Sequence, residues 1–292
     1  MSTGRRPPQR RPERTTRAGG RGALWLVGLV AIAAVALIAL VMARGGGNDT
    51  PVPTTPTTPT TVDVLLVEGL RRSEMATIIQ KKTGIPAASY LAATNPSARG
   101  RALAGTSRPT SLEGFLFPAT YPVDPKAPVG DLVDYQLRTF QQRTAGIDYA
   151  YARRRNLTRY DVLIIASLVE REASNERERG IIAGVMYNRL RLRMRLDIDA
   201  TVQYALGFWK PELTAADLRS PSPYNTRRFP GLPPGPISNP GEGSIRAAAN
   251  PVRTNYLYYV ARADGTDHHY FARTPAQFDA AVAKARANAR GG

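Results

Sequence analysis

The side chains in this sequence with the reach and chemistry to act on a substrate are carboxylates. There is no cysteine, and the two histidines are adjacent at His268 and His269. That removes thiolate chemistry and disulfides and leaves no basis for a His-rich metal site, so no metal or other cofactor is expected. One carboxylate is set apart by its neighbours. Glu170 ends an apolar run of Val162, Leu163, Ile164, Ile165, Leu168 and Val169. At helical spacing it is flanked by Ala166, Ser167, Ala173 and Ser174, a strip of small side chains that a ligand can approach closely. An apolar setting raises the pKa of a carboxyl group and keeps it protonated, which suits a general acid. The bland reading is that Glu170 is the first charge of a solvated face, since Arg171, Glu172, Glu176, Arg177, Glu178 and Arg179 follow. The helix alone leaves both readings open.

Several elements must position that group. A helix is expected over 158–179 with Thr158 as its N-cap. Gly180 is read as a break before a second helix, where Ile181, Ile182, Val185, Met186 and Leu190 repeat at helical period. Asn188 lies beside that face as a ligand contact, and Arg189, Arg191, Arg193 and Arg195 follow as a basic stretch. Upstream, Ser111 to Val123 is aromatic and holds one carboxylate, Glu113. That combination suits sugar binding, although packing explains Phe115, Phe117 and Tyr121 equally well. Leu132 to Arg143 reads as an amphipathic helix. Ser220 to Gly241 contains seven prolines and cannot be a regular helix or central strand. A long irregular segment in a compact domain is more often functional than idle, and this one offers Tyr224, Asn225 and Thr226 on a rigid frame. Asn225 is expected to orient a ligand. A short helix at 244–249, strands at 256–262 and 268–272, and a helix over 274–289 complete the chain.

The 292 residues carry a net charge of +17 and 42% hydrophobic residues, enough for a core and one or two domains. Residues 1–44 hold eight Arg and one Glu, or +7, which leaves +10 for the remainder. Such a charge favours an anionic partner: nucleic acid, an acidic membrane surface or a wall polymer. Residues 1–22 read as a disordered basic tail, and Ala23 to Met42 as a transmembrane helix of twenty uncharged residues. Seven Arg precede the span and only Arg44 follows it closely, which puts the N-terminus in the cytoplasm and the rest outside. A cleaved signal peptide would have a shorter apolar stretch. Residues 43–62 form a Pro/Thr linker. An exported domain rarely meets nucleic acid, so none is expected as a partner.

Residues 63–108 combine a strand with a turn at Gly69, a helix bearing Ala76, Ile78 and Ile79 that ends at Gly84, and a second helix with Leu91 before Asn95. This order resembles the LysM fold, a small glycan-binding βααβ module, with a ligand-free structural subdomain as the alternative. The fold class expected overall is α+β: a single transmembrane helix, the LysM-like unit, then a mixed α/β lysozyme-like catalytic domain over 109–290.

Taken together, LEGFLFPATY, ASLVEREA, MYNRL…MRLDIDATVQYALG, SPYNT…GLPPGPISNPG, YLYYVAR and HHYF resemble the MltG/YceG-like endolytic murein transglycosylases in order and spacing, from Val62 to about Ala289. The resemblance implies a single-pass plasma-membrane enzyme whose substrate is the glycan strand of peptidoglycan, with peptidoglycan synthases as further partners. It makes Glu170 the catalytic acid and Glu172 a structural or supporting carboxylate; Glu113, from the aromatic segment, is expected as a further supporting group. It assigns Asn188, Asp199, Thr201, Tyr224, Asn225 and Thr226 to substrate binding. Ala200 stands where the family often has proline. Asp199 would point to hydrolysis instead if it lay opposite Glu170 across the glycan. The competing reading from another class is a non-catalytic wall-binding or cell-division scaffold protein.

Overall fold

The computed structural model describes residues 60–95 and 98–291. The basic tail, the expected span at 23–42 and the linker up to residue 59 lie outside the described residues. Among the described residues no helix is long and apolar enough to cross a membrane.

The architecture is mixed α+β with two small sheets. Strand β1 (Val62–Leu66) alternates, with Val64 and Leu66 fully buried and Leu65 exposed. It pairs antiparallel with β2 (Ala119–Val123), Val62 opposite Val123 and Leu66 opposite Ala119. Between them lie α1 (Arg72–Thr83), α2 (Ala87–Ala93) and α3 (Ala98–Ala104). The first ends on Gly84 in the left-handed conformation, which lacks a Cβ penalty only for glycine. The strand that pairs with β1 thus comes only at 119–123, after three helices. Pro122 sits on an exposed edge, where its missing N–H costs nothing.

Next come α4 (Val129–Thr144) and α5 (Ala150–Arg153), then α6 (Arg159–Glu172), the helix the core is built around. Thr158 caps α6 by accepting from Asp161 N, while the Asp161 carboxylate accepts from Thr158 N. From Tyr160 to Val169 every residue of α6 is buried, as expected of a helix apolar on all sides. A 3-10 turn at Glu176–Glu178 leads into α7 (Arg179–Arg191). Gly180 thus lies inside a helix rather than breaking one. Its role is close approach: a Cβ there would stand 2.9 Å from Val252 Cγ2. Helices α8 (Asp199–Leu206) and α9 (Ala215–Leu218) precede the Pro-rich loop. Helix α10 (Glu242–Ala249) then packs Ile245, Ala248 and Ala249 into the core formed by α6 and α7. The antiparallel strands β3 (Tyr258–Ala261) and β4 (His269–Ala272) are covered by α11 (Pro275–Gly291).

Candidate active site

Glu170 lies in the last turn of α6 with its side chain 8% exposed. Its Oε2 accepts a hydrogen bond from Gly241 N at 3.0 Å, and its Oε1 stands 3.8 Å from Arg179 Nη2. The carboxyl group therefore meets a backbone donor and a guanidinium, a more polar setting than the apolar run before it leads one to expect. Arg179, the first residue of α7, also reaches Glu68 Oε2 at 3.5 Å and Glu176 Oε1 at 3.4 Å. Glu68 belongs to the turn after β1, and its carboxyl group occupies the space that a Cβ on residue 241 would need.

Ser167, on the small-residue strip beside Glu170, is taken up by the chain itself. Ile237 N donates to Ser167 Oγ at 3.1 Å, and Ser238 Oγ donates to the Ser167 carbonyl at 3.2 Å. At that position what approaches closely is the Pro-rich loop, while Ser174 is exposed. That loop bonds Glu170 through Gly241 N, and two residues before it stands Asn239, which is fully buried. Its amide nitrogen donates to Leu70 O at 3.0 Å and Glu113 Oε1 at 2.8 Å, while its amide oxygen accepts from Gly114 N at 2.8 Å and Leu116 N at 3.1 Å. One side chain thus joins the turn after β1, the segment around Glu113 and the loop carrying Gly241.

Glu113 is itself buried, and burial pushes its carboxyl group up to about 7 against hydrogen bonds that favour the charged form. Those bonds come from Arg72 N at 2.9 Å and Tyr204 Oη at 3.4 Å. Tyr204 packs on Tyr224, ring centroids 4.8 Å apart, so the Tyr224 ring adjoins the Glu113 group.

Glu172, two residues beyond Glu170, faces other partners. Tyr259 Oη donates to its Oε2 at 2.9 Å. Burial raises its pKa, Asp199 adds to the rise, and His269 and Arg227 oppose it. Asp199 is ion-paired with Arg227. Thr201 and Thr226 are buried with their hydroxyls 3.0 Å apart, and Ile198 N donates to Thr226 Oγ1 at 3.1 Å, which fastens the start of α8 to the Pro-rich loop. Asn225 is fully buried, and its amide donates to Leu218 O at 3.0 Å and Ser220 O at 2.9 Å while its oxygen accepts from Arg227 N. Asn188 stands apart from this group: its amide donates to Thr254 O and Tyr256 O at 2.8 and 3.0 Å, holding the segment before β3.

Three further features flank the site without having been singled out from sequence. Arg179 and Glu68 are one, and Asn239 is another. The third is Trp209, whose ring is met by the guanidinium groups of Arg171 at 4.0 Å and Arg71 at 4.8 Å from its centroid and which donates Nε1–H to Glu74 at 2.6 Å. The sequence signals were a Glu-Gly pair directly after a strand and the Asn-Pro-Gly-Glu-Gly run, both of which mark close backbone packing.

The sequence pattern that defines the YceG-like family matches residues 49–284. The endolytic murein transglycosylase of Bacillus subtilis (strain 168) is 42% identical over 156 residues, covering 53% of this chain and 43% of that protein. The endolytic murein transglycosylase of Streptococcus pneumoniae (strain ATCC BAA-255 / R6) is 35% identical over 179 residues, covering 59% of this chain and 32% of that one. The matched segment thus spans less than half the length of these curated relatives. A crystal structure of a yceG-like protein from Listeria monocytogenes superposes with a TM-score of 0.67 at 30% identity, covering 75% of each chain.

Proposed function

The chain belongs to the YceG-like family, and from that premise we propose that it is an endolytic murein transglycosylase with Glu170 as its catalytic residue. The observation that carries the reading is the placement of the Glu170 carboxyl group, 8% exposed and fixed where α6, α7 and the Pro-rich loop meet. A carboxyl group so held can act on one substrate atom without drifting in solvent.

In this reading Glu170, protonated, donates to the glycosidic oxygen between N-acetylmuramic acid and the next N-acetylglucosamine. The resulting carboxylate takes the proton of the muramic C6 hydroxyl, whose oxygen attacks C1 of the same sugar and closes a 1,6-anhydro ring. One residue serves as acid and then base. The internal hydroxyl replaces the water of a hydrolase, so no second carboxylate across the glycan is needed. Asp199, already paired with Arg227, is left with a binding role. The strands cut would be nascent ones, whose elongation the cleavage ends.

The proposal extends to the rest of the chain: an anchor through 23–42 with the N-terminus in the cytoplasm, a LysM-like unit beginning at β1 that meets glycan, and peptidoglycan synthases as neighbours. Protease added to intact spheroplasts should then degrade the region beyond residue 63, and protection until the membrane is broken would reverse the topology. The catalytic reading is tested by the products formed from purified glycan strands. Anhydro and hydrolysed ends differ in mass by one water. Glu170→Gln should lose about 10²–10⁴-fold or more in turnover while still binding glycan. Glu172→Gln should lose much less, since its carboxyl group is turned toward Tyr259. Loss in Glu172→Gln alone would mean the wrong carboxylate, and no turnover in the unaltered protein would return the scaffold reading.

A further inference from the structure

We propose that Glu68, in the turn after β1, is a positioning residue for the acid: by sharing Arg179 it keeps that guanidinium from pairing with Glu170 alone, and so sets the pH range over which Glu170 keeps its proton. The inference rests on the reading of Glu170 as the catalytic acid.

The geometry is that of one cation among three carboxylates. Arg179 Nη2 is 3.5 Å from Glu68 and 3.8 Å from Glu170, so the nearer carboxylate on that nitrogen is Glu68. Nη1 turns instead to Glu176, which is 81% exposed and weakly held. The Arg179 side chain is 14% exposed, and its Nε has no acceptor among the described residues. Two glycines make the arrangement possible. A Cβ at 241 would collide with the Glu68 carboxyl group, and one at 243 would lie 2.5 Å from Arg179 Nη1. The Asn-Pro-Gly-Glu-Gly run is thus small where Glu68 and Arg179 pass.

The charged groups facing Glu170 are Glu68 from the turn after β1, Arg179 from α7 and Arg171 from α6 itself, with Glu176 of the 3-10 turn behind them on the other nitrogen of Arg179. Glu68 bears the mark of the same crowding: burial raises its pKa, Glu170 raises it next, and Glu176 adds to this against Arg179. Two carboxylates close together disfavour a second negative charge, whereas a cation beside a single carboxylate favours one. Removing the charge of Glu68 therefore acts on Glu170 twice in the same direction. The repulsion that favours its protonated form disappears, and Arg179 is left with one partner fewer.

The sign for the reaction follows. The acid must be protonated at the start, so the rate falls as pH rises through its loss of the proton. In Glu68→Gln that alkaline fall should come earlier, by about half to one pH unit. On the falling limb this reads as an about three- to tenfold loss, while rates at low pH stay close to the original. Glu68→Asp keeps the charge and should leave the limb near its original place. Arg179→Gln removes the cation and should move the limb the other way.

The experiment records kcat/KM against pH for the full chain and these three variants on purified glycan strands, with Glu170→Gln as reference. A limb displaced downward in Glu68→Gln, restored in Glu68→Asp and displaced upward in Arg179→Gln supports the inference. A folded Glu68→Gln with an unmoved limb, or with a loss equal at every pH, overturns it and leaves Glu68 a packing residue. If Glu68→Gln does not fold, Arg179→Gln decides: an unmoved or downward limb overturns the inference. Full activity in Glu170→Gln would instead overturn the reading beneath it, a separate outcome.

Discussion

Replacing Asn239 by alanine should cost the fold about 4 kcal/mol, and the figure can be built from the bonds one by one. Leu70 O keeps a second donor, the Asn239 backbone N–H at 2.9 Å, and Glu113 keeps Arg72 N, so neither is stranded. Gly114 N and Leu116 N are different. Both donate to the Asn239 side-chain oxygen and have no other acceptor among the described residues. An unsatisfied buried donor costs about 1–3 kcal/mol, so two of them give about 2–6 kcal/mol. The assay is urea unfolding followed by Tyr and Trp fluorescence, with the slope m compared to exclude a changed denatured state. The transition midpoint should fall with m unchanged. Turnover should fall as well in the folded fraction, because Gly241 N–H, the partner of Glu170, sits two residues further along the same loop. A loss below about 1 kcal/mol with unchanged m would refute the reasoning, since water or a backbone shift would then be satisfying both donors.

Glu113 gives a pH prediction. Burial pushes its carboxyl group up to about 7 in the fold, against an ordinary carboxyl value of 4.5 when unfolded. Between those values the folded state holds the proton and the unfolded state does not, so this group's contribution to stability falls as pH rises from 4.5 to 7, by about 3 kcal/mol in all. In Glu113→Gln that decline should vanish, and a variant whose stability still drops with wild-type slope over this window would disprove it. Asn225→Ala should lower stability by about 1–3 kcal/mol, and the melting temperature with it, because Leu218 O and Ser220 O lose their donor; an unchanged melting temperature with reduced turnover would instead support direct ligand binding by Asn225. Beyond residue 44 the chain carries +10, so binding to isolated sacculi should weaken as salt rises, and salt-insensitive binding would remove electrostatics from the account.

The elements that follow from local pattern were legible in the sequence. The Thr158 cap, the all-apolar centre of α6 and the two strands near the C-terminus obey rules that act within a few residues. What escaped was set by distant chain. Gly180 looks like a break because glycine is a poor helix former, yet α7 runs through it because Val252 needs the space. Strand β2 was hidden in an aromatic, proline-bearing segment and exists because β1, far earlier in the chain (Leu66 opposite Ala119, Val62 opposite Val123), offers it an edge. Glu170 was singled out from the sequence, but the groups that surround it were not. Arg179 appeared as one charge in a run of seven, and nothing within its own helix reveals that it turns toward residues 68 and 170. Asn239 is similar, since its partners at 70, 113 and 114 can be recognised only once the loop has folded back.

The reach of Asn239 across the sequence has a consequence for the order in which the molecule comes together. Its side chain bonds partners 169 and 126 positions earlier, and Gly241 reaches back 71 positions to Glu170. Closing such long loops is entropically costly and is repaid only when both ends are in place. A chain emerging from its N-terminus can form β1, α1 and much of α6 before residue 239 exists, but Glu170 then has no Gly241 N–H to hold it. The hydrogen bond that fixes the carboxyl group therefore forms late, after residue 241 has been made. Until the Pro-rich loop has closed, the Glu170 carboxyl group lacks the backbone donor that holds it, so the site is assembled only at that late step.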